Sequence, residues 1–196
     1  MVRRPVWRFV PLKLPPYAIH VVLLIFPSVV LSWSQSSVPT ETQVKAAYLY
    51  NFGKFVTWKT NRVATFDSFE ICLLGKDPFG AVLDSTVADE QIGGKKIVVR
   101  RISRIQEANS CRILFIASSE GKRLGAILTA TRQLDVLTVS AMSDFAEQGG
   151  MIGFVMQIDR IRFEVNLGAA QQSHLALSSE LLKVATRVIG KGAPGS

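Results

Sequence analysis

The stretch Gly149 to Asn166, GGMIGFVMQIDRIRFEVN, constrains this chain more than any other. It reads as two strands and a tight turn. Met151–Gln157 is apolar almost throughout, which suits a strand covered on both faces. Arg160–Asn166 alternates, with Ile161, Phe163 and Val165 on one face and Arg162 and Glu164 on the other. Only Ile158 and Asp159 lie between the two runs, so the connection is a short hairpin and the pair is antiparallel. The glycines at 149, 150 and 153 have two readings. One is a bulge or a turn needing positive φ. The other is close backbone approach by a ligand or partner.

Around this hairpin the chain alternates strand and helix patterns. Thr40 fits an N-cap, with Gln43 completing a capping box. Val44, Ala47, Tyr48, Phe52, Phe55 and Val56 follow at helical spacing, which predicts a helix to Trp58. Its aromatic residues fit a core better than a ligand box. Lys59–Ser68 is a polar loop, and Phe69–Leu74 a buried strand. Asp77 and Pro78 then start a helix over Phe79–Val87. Gly93-Gly94 makes a turn into a strand over Lys95–Ile102. A helical turn at Ser103–Ala108, a strand at Cys111–Ala117, a helix over Ser118–Thr131 and a strand at Val136–Ser140 follow. A turn at Ser143–Gln148 leads into the hairpin. Ser178–Ile189 closes the domain as an amphipathic helix with Leu181, Leu182, Ala185 and Val188 inward. This order predicts a three-layer α/β sandwich on a mixed sheet of about five to six strands, with the antiparallel hairpin towards the C-terminal end.

Composition bounds the location and the partners. The chain has 196 residues, 48% of them hydrophobic, enough for one domain with a sizeable core. Its 23 Lys and Arg against 15 Asp and Glu give a formal charge of +8. Arg3, Arg4, Arg8 and Lys13 precede the apolar run Ala18–Leu31, and no acid does. Without those four, 19 cations face the 15 acids, a balance of +4. That balance, with no basic run interleaved with aromatics, argues against nucleic acid. The first 34 residues have the form of an export signal, with Ser32-Trp33-Ser34 offering small residues before Gln35. The apolar run is shorter than the roughly 20 residues of a membrane span and is interrupted by Pro27. Residues 1–34 are therefore expected to be a signal peptide, 35–190 one domain, and 191–196 a loose tail.

Chemistry-bearing motifs are few. Cys72 and Cys111 sit at strand positions. In an exported chain an even cysteine count points to a bridge, against the alternative of two buried thiols. No zinc site is expected, because His174 alone cannot complete one with strand-interior cysteines. There is no nucleophile elbow and no dinucleotide fingerprint. The carboxylates of Asp144, Glu147 and Glu164 fit solvated surface charges. A ligand pocket, if present, should lie beyond the carboxyl ends of the strands. Lys76 and Asp77 follow one strand, and Ser118 and Ser119 follow another. Arg162, Asn166 and His174 would join them if the hairpin lay alongside.

Seven segments in order carry a resemblance: KAAYLYNFGKFVTW, ICLLGKDPFG, GGKKIVVRRI, CRILFIASSE, LTVSAMSDFAEQGGMIGF, IRFEVNL and LSSELLK. Together they resemble the YfiR/HmsC family over about Thr42–Val188. The resemblance implies a periplasmic regulator with no catalytic residues and no cofactor. It implies a partner in the periplasmic sensor domain of an inner-membrane diguanylate cyclase, which the regulator holds inactive, and relief by an outer-membrane lipoprotein. A homodimer fits such a role. The chain departs from the family pattern where Trp58 is followed by Lys59 rather than proline. It also lacks the second cysteine pair that some relatives carry near Glu147–Gly153, so redox control through a second bridge is not expected. A small-ligand binder without a cyclase partner is the alternative function. The leader reading makes one direct prediction. N-terminal sequencing of the protein from the periplasm should begin at or near Gln35; an intact Met1 would contradict cleavage.

Overall fold

The computed structural model describes residues 38–59 and 67–190. The expected signal, the tail and most of the Lys59–Ser68 loop lie outside the described residues. Helix α1 spans Glu41–Phe55, opened by the Thr40–Gln43 capping box. The strands are β1 (Val56–Trp58), β2 (Phe69–Leu74), β3 (Gln91–Ile92), β4 (Lys95–Ile102), β5 (Cys111–Ile116), β6 (Leu137–Ser140), β7 (Ile152–Gln157), β8 (Arg160–Asn166), β9 (Leu175–Leu177) and β10 (Arg187–Ile189). The remaining α-helices are α2 (Ala81–Val87), α3 (Leu124–Thr131), α4 (Leu167–Gln172) and α5 (Ser179–Val184), and Ile105–Ser110 and Ser118–Arg123 are 3-10 helices.

Among the described residues the main sheet has the order β10-β8-β7-β6-β5-β2-β4-β3. Its middle, β7-β6-β5-β2-β4, is parallel; β8 runs antiparallel to β7, and β3 antiparallel to β4. Six of these strands are the ones the hydrophobic pattern indicates. The short edge strands β3 and β10 extend the sheet to eight. The fold is thus a mixed α/β sandwich of the expected class.

Strands β2 and β5 explain the layering. Every residue of β5 is buried, and β2 is buried at all positions but the half-buried Glu70. Alternate side chains enter two separate cores. Ile71, Leu73, Ile113 and Phe115 join α1, α2 and α5 on one face. Cys72, Leu74, Leu114 and Ile116 join α3 and Phe145 on the other. The second core also holds the Cys72–Cys111 disulfide, with Cα atoms 5.8 Å apart across the β2–β5 pair.

The Gly149 stretch folds as a hairpin. Ile152–Gln157 pairs antiparallel with Arg160–Asn166, and Phe154 faces Phe163. Ile158 and Asp159 both take positive φ, +46° and +55°, as a two-residue turn between right-twisted strands requires. Of the three glycines, Gly149 has φ +99°, and a Cβ on Gly150 would run into the Phe145 ring. Backbone geometry and packing account for both.

Three readings need correction. Helix α1 stops at Phe55, and β-branched Val56 and Thr57 begin β1, which pairs antiparallel with β9. Its buried face is Ala46, Leu49, Phe52 and Gly53, while Phe55 stays 39% exposed. Val44, Ala47 and Phe55 thus lie on a second apolar stripe, while Tyr48 and Phe52 of the expected stripe do pack against the core. The C-terminal segment is not one helix. Helix α5 ends at Val184, and β10 adds parallel to β8, because β8 would otherwise leave its ladder open at the sheet edge.

The bridge closes a loop with a sequence separation of 39. In the chain-entropy model this contributes roughly 3–4 kcal/mol. Replacing both cysteines with alanine should lower the melting temperature by about 10 °C, read by circular dichroism. Both sulfurs should resist alkylation in the native protein until it is reduced. Ready labelling before reduction would refute the bridge.

Candidate functional site

A cleft of about 500 Å³ opens beyond the carboxyl ends of β2, β5 and β6. Its position follows from the topology. From β2 the chain leaves through α2 towards β4, on the face of the first core; from β5 it leaves through α3 towards β6, on the face of the second. Where successive connections depart in opposite directions, a crevice forms between the strand ends. Lys76, Ser118 and Ser119 line it, as expected for residues that follow these strands. Phe79, Phe115 and Ala117 supply apolar wall, and the first turns of α1 contribute Glu41, Thr42 and Lys45.

The rim is built by hydrogen bonds between strand ends. Ala117 donates its N–H to the Leu74 carbonyl at 2.9 Å. Lys76 donates its backbone N–H to Ser119 Oγ at 2.9 Å. Gly75 between them takes φ +92°, and a Cβ there would stand 2.5 Å from Ser119 Oγ and 2.7 Å from Glu120 Oε1. Glycine is required at this point on both grounds.

Asp77 lies beside the cleft but turns away from it. Its Oδ1 accepts from the N–H groups of Phe79 at 2.6 Å and Gly80 at 3.2 Å. Its Oδ2 accepts from Arg101 at 3.0 Å. Arg101 also holds Asp84 and the Gly80 carbonyl, tying the loop before α2 to β4. The hydrogen bond from Arg101 sets the Asp84 carboxyl below its usual value, and partial burial opposes this. A depressed carboxyl stabilises the fold above its ordinary pKa and loses that contribution as pH falls through the folded value. At this half-exposed position the effect is at most about 1 kcal/mol.

The other candidates of the strand-end set do not converge on the cleft. Asn166 is committed to structure: its Nδ2 donates to the Ala146 carbonyl at 2.8 Å, and its Oδ1 caps α4 by accepting from Ala169 at 2.9 Å. It lines a different cleft of about 300 Å³ with Thr138, Gly149 and Gly190. Its strand runs antiparallel, which carries Asn166 to the amino ends of the parallel strands. His174 takes φ +56° before β9, and its carbonyl accepts from Lys59 N–H at 3.1 Å. Arg162 lies half-buried on β8, opposite Val155, outside the cleft. The structure thus groups Lys76, Ser118 and Ser119, with Asp77 adjacent, and places Arg162, Asn166 and His174 elsewhere.

Residues of α1 were the ones sequence reasoning missed. Thr42 and Lys45 read as ordinary positions in the first turns of a surface helix. Nothing local indicates that this helix begins over the strand ends. A third cleft, of about 470 Å³, is lined by Trp58, Phe69, Ile92 and Arg112. Trp58 Nε1 is buried without a hydrogen-bond partner among the described residues. Burial pushes the Arg112 pKa down, and the Asp135 carboxylate pushes it back. Among the described residues, Glu70, Cys72 and Cys111 are grouped as a metal site would be. Both sulfurs are bonded to each other, and Glu70 accepts from Arg100 at 2.7 Å and Ser110 at 2.6 Å, so the group is structural.

Residues 42–186 match the YfiR/HmsC-like family. The chain belongs to that family. It is a periplasmic, regulatory family rather than a catalytic one, and it points to regulation of diguanylate cyclases. No curated protein sequence matches the chain. Among solved structures it is similar to a conserved domain protein from Vibrio cholerae O1 biovar El Tor, at 10% identity and a TM-score of 0.52. That likeness covers 78% of this chain and 61% of the other. It is also similar to the ABC domain in complex with L-Trp from Streptococcus pneumonia, at 11% identity and a TM-score of 0.50. There the likeness covers 74% of this chain and 60% of the other. The chain thus spans about three fifths of each of these proteins, and what is shared is the fold. Among the described residues of this family member, no helix is long and apolar enough to cross a membrane.

The rim geometry is directly testable. Gly75→Ala should lower stability by about 1–3 kcal/mol, seen as a reduced denaturant midpoint, through the positive φ and the Ser119 contact. A midpoint equal to that of the wild type would show that the rim yields freely.

Proposed function

We propose that this chain is an exported periplasmic regulator that holds an inner-membrane diguanylate cyclase inactive by binding the periplasmic sensor domain of that enzyme. The observation that carries this reading is the family match over 42–186, which runs from the first turn of α1 past the end of α5. Relief by an outer-membrane lipoprotein and a homodimeric state belong to the same proposal.

Repression by contact requires exposed apolar surface. Among the described residues, two places that supply it are α1 with α5 and the hairpin tip. Phe55 and Val184, 39% and 58% exposed, rim an apolar groove of about 360 Å³ between α1 and α5. Met156 and Ile158, 57% and 90% exposed, crown the hairpin. Glu164 fits contact less well, because Arg187 grips it at 3.0 and 2.8 Å and thereby fastens β10 to β8.

Deleting the protein should raise cellular cyclic di-GMP and increase biofilm. Val184→Asp or Ile158→Asp, whichever lies in the contact, should reproduce the deletion with an unchanged melting temperature. Unaltered cyclic di-GMP after deletion, with the partner cyclase expressed, would reject repression. A second reading, small-ligand binding, is favoured by one observation: the cleft at the strand ends, whose volume falls in the usual range of ligand sites.

A further inference from the structure

We propose that the cleft beyond β2, β5 and β6 binds a small monocarboxylate with an apolar body. The proposal rests on the ligand-binding reading of this cleft and does not involve the cyclase.

Charge is the first argument. Three carboxylates lie in or beside the cleft, and all three are already taken. Asp77 is held by Arg101 and two backbone N–H groups. Glu120 is buried and paired with Arg123. Glu41 is paired with Lys45 one helical turn on. Lys76, exposed at the rim, makes no ion pair among the described residues. The charged lining residues, Glu41, Lys45 and Lys76, sum to one positive charge, which matches a monoanion better than a di- or triphosphate.

Donor placement is the second. Ser119 Oγ accepts from the Lys76 N–H and keeps its hydroxyl hydrogen to donate to a ligand. Ser118 precedes it in the chain and is exposed in the same lining. An ammonium and two hydroxyls in one lining suit the two oxygens of a carboxylate. The Gly75 turn holds Lys76 and Ser119 together, which reduces the ordering that binding would require.

The rest of the lining is largely apolar. Phe79 packs edge-on against Phe115, with centroids 4.9 Å apart, and Pro78 and Ala141 complete the surface. A fully hydrated anion gains little there, whereas a ring or branched chain does. About 500 Å³ accommodates a body of amino-acid size.

The test is calorimetric titration of the purified protein with 3-phenylpropionate, 3-phenylpropanol and inorganic phosphate. The carboxylate should bind, and the neutral alcohol and phosphate at least about tenfold more weakly. Lys76→Met should weaken 3-phenylpropionate binding about tenfold or more, with an unchanged melting temperature. Ser118→Ala should weaken it by a smaller factor. Lys96→Met, on an exposed residue at the other end of the sheet, should bind like the wild type. Equal or tighter binding of phosphate would overturn the ligand class and leave a ligand site standing. Full-strength carboxylate binding by Lys76→Met would overturn the site. Absence of binding by all three probes up to about 10 mM would overturn the proposal and the ligand-binding reading together.

Discussion

The pairing of β2 with β5 is the interaction on which the rest depends. These two strands are buried on both faces, so their side chains build both cores at once. The Cys72–Cys111 bridge joins them near the start of β5. At their carboxyl ends the Ala117–Leu74 and Lys76–Ser119 hydrogen bonds join them again. The pair is thus fastened at both ends, and the connections leave it in opposite directions. The cleft is a consequence of that divergence.

Helix α1 ties this centre to the hairpin. Phe52 meets Phe163 edge-on at 5.0 Å, and Tyr48 meets it at 5.4 Å. Phe154 lies 5.9 Å from both rings of the helix. Aromatic contacts of this kind add to the area they bury and fix the angle of the helix across the sheet. With one stripe buried, the second stripe of α1 faces outwards and is only partly covered by α5. The same helix therefore serves the core and leaves apolar surface exposed at Phe55.

Acidic residues around the cleft show how electrostatics depends on structure rather than composition. Counted along the chain, Lys76 is followed at once by Asp77, and the two charges cancel. In the fold, Asp77 is turned to Arg101 from β4, which it shares with Asp84, and to the amides opening α2, and Lys76 makes no ion pair among the described residues. Arg187 plays a comparable part at the other side of the sheet. Its bonds to Glu164, and then Glu147, raise its already high pKa and hold the short strand β10 in place.

Much of the architecture was determined by the sequence alone, because it depends on periodicity and local turn chemistry. Continuous apolar runs marked β2 and β5, alternation marked β8, and two residues between strands left only a hairpin. The two cysteines were readable as a bridge on another ground, an even count in a chain with the form of an exported one. Lys76, Ser118 and Ser119 could be read as strand-end residues because they follow apolar runs, but that β2 and β5 are parallel neighbours is a fact of the tertiary structure. Tertiary structure alone decided the rest. Val56–Trp58 and Arg187–Ile189 became strands because β9 and β8 offered open ladders, a cause that lies far away in sequence. Asn166 and His174 were separated from the cleft because β8 runs antiparallel and carries the next residues of the chain to the opposite end of the sheet. Thr42 and Lys45 entered the cleft because α1 packs across the sheet with its first turn over the strand ends. No local pattern records such a placement, since it is set by which side chains interlock across the core.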